Sequence, residues 1–224
     1  MIDVCVTHFG TKYPTTYLDK LERGIAKNYS GDFNFIVKTD CPNRHWDKIS
    51  FFDCDRPTVI MDIDQLVVGE MDTLFHAQPR QLAGFRRWYR PGISLQGGFY
   101  KIIPCDENAL VKEKFYQDPN FWITHYGIEV GTPWMGEQLF VQHSVKTIDW
   151  LPSEKFGVYA DYVWHNNKFV YLYEFNDSYR RLTGEGMINP PCHFNKKLSL
   201  VHFIYNSNMI EEANFWIKEL WDGM

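Results

Sequence analysis

The feature that most constrains this chain is a short apolar run that ends in a pair of acids. Thr58 to Met61 is β-rich and apolar, and it leads straight into Asp62 and Asp64, one residue apart. Such a run reads as a buried strand. In extended chain the side chains at i and i+2 project to the same side. Both carboxylates therefore sit on one face where the strand ends, and open α/β sheets bind their ligands at such ends. Two like charges held this close repel each other unless something neutralises them. Hard oxygen donors suit Mn²⁺ or Mg²⁺ in that role.

The residues before this run prescribe a β-α-β start. Ile2 to Thr7 reads as a first strand, and His8 to Pro14 as a loop punctuated by Gly10 and Pro14. Tyr17, Leu18, Leu21 and Ile25 recur at helical spacing, which predicts a helix to about Tyr29, closed by Ser30-Gly31-Asp32. Phe33 to Val37 reads as a second strand ending at Thr39-Asp40. This order favours a parallel sheet. Beyond the acid pair, strands are expected over Gln81–Phe85, Lys146–Leu151 and Ser199–Phe203. Helices are expected over Asp106–Gln117, from near Pro133, and over Met209–Trp221, with Phe121-Trp122-Ile123 in the core.

The nineteen residues from Pro57 to Phe75 resemble the Asp-X-Asp signature of glycosyltransferases with the GT-A fold. They resemble family 8 more closely, the glycogenin and bacterial galactosyltransferase group. There an apolar strand, Asp-X-Asp, a short apolar segment, Gly and an Asp-X-Leu-Phe helix start follow in the same order, as in Val68-Gly69-Glu70-Met71-Asp72-Thr73-Leu74-Phe75. The resemblance implies an α/β, Rossmann-like mixed sheet, mainly parallel and flanked by helices, in a single domain over 1–224. Residues 1–75 would form its nucleotide-binding half and 76–224 its acceptor-side half. It also implies transfer of a sugar from a nucleoside-diphosphate sugar, a UDP-sugar first, to a hydroxyl acceptor (glycan, lipid-linked sugar or protein), with retention of anomeric configuration.

Site residues carry over with the resemblance. Asp62, Asp64 and a late strand's His202 would hold Mn²⁺ or Mg²⁺, with Ile63 between the acids on the donor. Thr7, Phe9, Tyr13 and Asp40 occupy the places that hold base and ribose. Tyr13 would stack on a base, or else Tyr13-Pro14 is only a turn and Asp40 a cap. Lys48 lies in Trp46-Asp47-Lys48-Ile49-Ser50-Phe51-Phe52, which resembles a segment preceding Asp-X-Asp in bacterial relatives. It would reach the diphosphate as a point charge, or else be a solvated lysine on a short helix. Gln96, Gly97 and Gly98 stand in for the family's Asn-Ser-Gly turn. Glu137 and Gln138 stand in for its Asp-Gln-Asp element under the transferring sugar. After His202 the family's Gly-X-X-Lys-Pro-Trp is replaced by Ile204-Tyr205-Asn206-Ser207-Asn208, so its diphosphate lysine has no counterpart there.

Composition narrows the rest. With 224 residues, 45% hydrophobic and 17% aromatic, the chain can bury a full core without staples. A net charge of −5 offers no footprint for nucleic acid or an anionic membrane. The five cysteines are scattered without a Cys-X-X-Cys pair, which argues against a zinc or disulfide framework and fits a reducing, cytoplasmic setting. No signal peptide and no run of about 20 apolar residues is evident, so no membrane span is expected. Three rival readings remain. A haloacid-dehalogenase phosphatase would want its acid pair at the start of the domain. A nucleotidyltransferase would want a Gly-rich basic loop after strand one. The third is a non-catalytic nucleotide-sugar or carbohydrate-binding protein.

Overall fold

A six-stranded sheet forms the centre of the computed structural model, in which residues 1–87, 95–129, 136–159, 162–165, 168–171, 198–203 and 215–224 are described. Strands β1 (Ile2–Thr7), β2 (Phe33–Lys38) and β3 (Thr58–Met61) run parallel, with β1 in the middle. Helix α1 (Thr16–Asn28) makes the crossover from β1 to β2. The other half of the sheet is mixed. Strand β6 (Leu95–Ile102) runs antiparallel to β3 and to β5 (Leu82–Arg86), and β5 is parallel to β7 (Ile148–Trp150). The order is β2-β1-β3-β6-β5-β7.

A three-stranded sheet stands beside it. Strand β4 (Gln65–Val67) leaves the acid pair directly and pairs antiparallel with β11 (Leu200–Phe203). Strand β8 (Phe156–Tyr159) lies parallel on the far side of β11. Strands β9 (Tyr162–His165) and β10 (Lys168–Tyr171) form a separate hairpin.

The core divides into two layers because side chains alternate across each strand. Val4, Val6, Val59, Met61 and Phe99 face one layer, with α1, helix α2 (Asp72–Phe75), β4, β11 and Trp221 of helix α6 (Phe215–Asp222). Cys5, Ile60, Tyr100 and Ile102 face the other. That layer is closed by a 3-10 helix (Arg44–Phe52), α3 (Asp106–Gln117), α4 (Pro119–Glu129) and α5 (Glu137–Ser144). With both faces covered, β3 is buried along its whole length, as a strand between two helix layers must be. Each large apolar side chain removed from water there contributes about 1.5–3 kcal/mol.

Within the described residues, the expected strands and helices fall within a few residues of those observed. Helix α1 stops at Asn28, with Tyr29 turning extended and its N–H capping the Ile25 carbonyl. Phe121, expected in the core, is 52% exposed, and Trp122 and Ile123 are half-buried. Residues 88–94, 130–135 with the helix start expected near Pro133, 160–161, 166–167, 172–197, and 204–214 with the helix start expected at Met209 lie outside the described residues.

Candidate metal and donor site

Strand β3 delivers the acids. The Asp62 N–H donates to the Gly98 carbonyl at 2.9 Å, which fastens the end of β3 to β6. Ile63 turns into the core at 8% exposure, while Asp62 and Asp64 lie mostly but not fully buried on the opposite side. One residue later β4 begins, and its register sets Gln65 opposite His202. The Phe203 N–H donates to the Asp64 carbonyl at 3.0 Å, so the same strand pair clamps the acid and the histidine together.

One donor atom from each of Asp62, Asp64 and His202 lies within 4.8 Å of the other two. Two carboxylates and a mostly buried imidazole make a donor set that suits Mn²⁺, and Mg²⁺ through its oxygens. Gln65 orients the imidazole. Its Nε2 donates to the Gly98 carbonyl at 2.6 Å and lies 3.1 Å from His202 Nδ1. Phe156 stacks on the imidazole at 6.0 Å between ring centres. Gly98 makes room for this arrangement. A Cβ there would stand 2.5 Å from Gln65 Nε2 and 2.6 Å from His202 Nδ1.

The 3-10 helix brings Lys48 in from the other side. Trp46, Ile49 and Phe52 of that helix are wholly buried, and Trp46 stacks on Phe115 at 5.5 Å. Asp47 locks the turn by accepting from the Asn43 N–H at 2.7 Å and the Tyr116 hydroxyl at 2.7 Å. Lys48 is thereby driven inward to 2% exposure. Its ammonium donates to Asp62 and, at 2.9 Å, to the Gly97 carbonyl, and it lies 3.7 Å from Glu137. The solvated-lysine reading of Lys48 does not hold, because the residue is buried and its ammonium is engaged by Asp62, the Gly97 carbonyl and Glu137.

Glu137 and Gln138 open α5 against the same point. The Tyr100 hydroxyl donates to Glu137 at 3.0 Å, and the Gly97 N–H donates to Gln138 Oε1 at 2.9 Å. One turn on, Gln142 accepts from the Leu95 N–H at 3.0 Å. Gln96 is buried at 2%. The pairing of β5 with β6 slips between Gly84–Tyr100 and Arg86–Leu95. That irregularity breaks the strict alternation, so Gly97 and Tyr100 both meet α5 while Gly98 backs onto His202.

The nucleotide-loop candidates lie at the carboxyl ends of β1 and β2. Thr7 is buried, Phe9 half-buried and Asp40 exposed. The His8 N–H donates to the Lys38 carbonyl at 2.9 Å, tying the two strand ends together. Tyr13 sits over the acid pair: its hydroxyl donates to Asp64 at 2.9 Å, and its ring packs 5.2 Å from Tyr17.

Burial and charge set the titration of the acids. Burial works against the Asp62 charge, but Lys48 and then His202 outweigh it and hold the carboxyl below its ordinary range. Burial pushes Asp64 up, opposed by His202 and reinforced by Asp62. Burial lifts Glu137 to about 7, against the pull of Lys48. The Lys48 amine also loses by burial, yet Asp62 and Glu137 hold it up at about 12.

Sequence reasoning missed Tyr100, Gln65 and Gln142 as site-builders. Gln65 had a readable signal, as the first residue of the strand leaving the acid pair. Tyr100 and Gln142 had none, because β-strand slippage and the packing of α5 place them.

No protein-family model matches the chain, and no curated protein matches it. Solved structures do. The glycosyltransferase GlyE of Streptococcus pneumoniae TIGR4 superposes over 100% of this chain with a TM-score of 0.61 at 11% identity. The chain spans only 60% of that protein's length. The galactosyltransferase LgtC, in complex with donor and acceptor sugar analogs, matches at a TM-score of 0.58 and 11% identity, over 99% of this chain and 96% of LgtC. A glycosyltransferase involved in glycosylation of the major capsid of PBCV-1 matches at 0.54 and 11%, over 100% and 99% of the two chains. The mixed, mainly parallel sheet flanked by helices is therefore the GT-A fold of glycosyltransferases.

Proposed function

We propose that this protein is a metal-dependent glycosyltransferase. It moves a sugar from a nucleoside-diphosphate sugar, a UDP-sugar in our reading, to the hydroxyl of an acceptor, with retention at the anomeric carbon. The observation that carries this is the convergence of Asp62, Asp64 and His202 within 4.8 Å, at a strand end where α/β sheets take ligands. The fold shared with LgtC, which has been crystallised with donor and acceptor sugar analogs, supports the substrate class.

Asp62, Asp64 and His202 would hold a dication, which when bound would supply positive charge against the negative charge of a diphosphate leaving group. Thr7, Phe9, Tyr13 and Asp40 position base and ribose at the ends of β1 and β2. Glu137, fixed by Tyr100, and Gln138, fixed on the Gly97 amide, face the place of the transferring sugar. Lys48 compensates the Asp62 and Glu137 charges rather than reaching the phosphates. The acceptor approaches past Gln96, Gly97 and Gly98. No described helix is long and apolar enough to cross a membrane. We assign the protein to the cytoplasm on its scattered cysteines.

The test is incubation with Mn²⁺ and a panel of nucleotide sugars, read as release of free nucleoside diphosphate. Release that depends on the metal and is lost in Asp64→Asn supports the proposal. Saturable sugar binding without release from any donor makes this a binding protein instead. Inorganic phosphate from sugar phosphates makes it a phosphatase.

A further inference from the structure

The geometry points to Lys12 as the residue that grips the diphosphate, an assignment that rests on the nucleotide-sugar reading above. The charge at the site needs such a group. Among the described residues Asp62, Asp64 and Glu137 face one buried lysine, Lys48, and it is committed to Asp62, the Gly97 carbonyl and Glu137. A dication balances the acids that remain, and an incoming diphosphate then brings two or more new negative charges with it. No lysine or arginine occurs between His202 and Lys218 in the sequence.

Lys12 stands on the exposed rim of the same site. Its ammonium donates to the Tyr13 hydroxyl at 2.7 Å, and that hydroxyl donates to Asp64 at 2.9 Å. The amine is thus two hydrogen bonds from a ligand of the proposed metal. It also lies 4.5 Å over the Tyr13 ring, which steadies a side chain that is otherwise long and flexible. The loop itself is shaped for the task. Gly10 adopts the left-handed φ of 67°, and His8 Nε2 lies 2.8 Å from the Tyr13 carbonyl, so the segment folds back over Asp64. A lysine ammonium in this place meets phosphate oxygens as a compact, rotatable point charge.

The test compares the parent with Lys12→Met and Lys12→Arg, using UDP, GDP, CDP and ADP with Mn²⁺ and the corresponding nucleosides without phosphates. For the diphosphate that the parent binds, Lys12→Met is expected to weaken binding by about tenfold, the equivalent of ~1.4 kcal/mol. Binding of the nucleoside should change less than twofold, and Lys12→Arg should keep diphosphate affinity within about threefold of the parent. Equal diphosphate affinity in parent and Lys12→Met overturns the assignment, as does an equal loss for nucleoside and diphosphate. A parent that binds none of the four diphosphates with Mn²⁺ overturns the nucleotide-sugar reading, and this assignment with it.

Discussion

Replacing Gly98 by alanine should disable the metal site while leaving the fold in place. The added Cβ would lie 2.5 Å from Gln65 Nε2, 2.6 Å from His202 Nδ1 and 2.7 Å from His202 Cε1. Ordinary contact begins near 3.4 Å, so the imidazole must retreat by 3.4 minus 2.6, or 0.8 Å. Its retreat is opposed by Phe156, stacked behind the ring, and by β11, whose register with β4 is fixed. A metal–nitrogen bond tolerates about 0.2 Å of displacement. The third ligand is therefore lost or badly placed, and Mn²⁺ affinity should fall by at least the 10–100-fold typical of disturbing the support of a ligand. The strain of overpacking adds a destabilisation of about 1–3 kcal/mol. Gly97→Ala is the control, since the nearest atoms to its Cβ belong to the side chains of Gln138, at 3.1 Å, and Glu137, at 3.2 Å, and none to Gln65 or His202. Calorimetric titration with Mn²⁺, beside urea unfolding, reads both quantities. A Gly98→Ala protein that binds Mn²⁺ within twofold of the parent refutes the assignment of His202 as a ligand in this geometry.

Three further outcomes follow from the same contacts. Lys48→Met removes the cation between Asp62 and Glu137 and should destabilise the protein by about 3 kcal/mol, because it leaves two acids uncompensated at a buried point. Saturating Mn²⁺ should restore more stability to this variant than to the parent, and equal gains in denaturant midpoint would contradict the charge argument. Glu137 is held at about 7 in the fold against an ordinary 4.5, so the native state binds the extra proton between those values. Stability should therefore fall as pH rises from 4.5 to 7, by about 3 kcal/mol from this group, and stay low above it. Urea midpoints across that window should show the slope in the parent and lose it in Glu137→Gln. Gly69→Ala should destabilise by more than 2 kcal/mol, since its Cβ would lie 2.1 Å from the Leu198 carbonyl oxygen, a backbone atom with little freedom to move. An unchanged melting temperature would show that the turn into α2 relaxes more easily than its packing suggests.

What the sequence discloses of this site is divided along a physical line. The acid pair, the strand before it and the β-α-β start are local: burial of an apolar run and the two-residue period of extended chain suffice to place Asp62 and Asp64 on one face with Ile63 turned inward. His202 lies 140 residues on, and only the resemblance to the family's order of motifs proposes it; the pairing of β4 with β11 is what delivers it. Lys48 shows where residue type alone misleads. A lysine on a short helix invites a solvated reading, yet the apolar face of its 3-10 helix drives it into the protein, where acids from β3 and α5 pair with it. Tyr13 adds a contact that its residue type did not disclose: its hydroxyl donates to Asp64. In each case the side chain's chemistry was legible and its partner was not, because partners across strands and helices are chosen by packing.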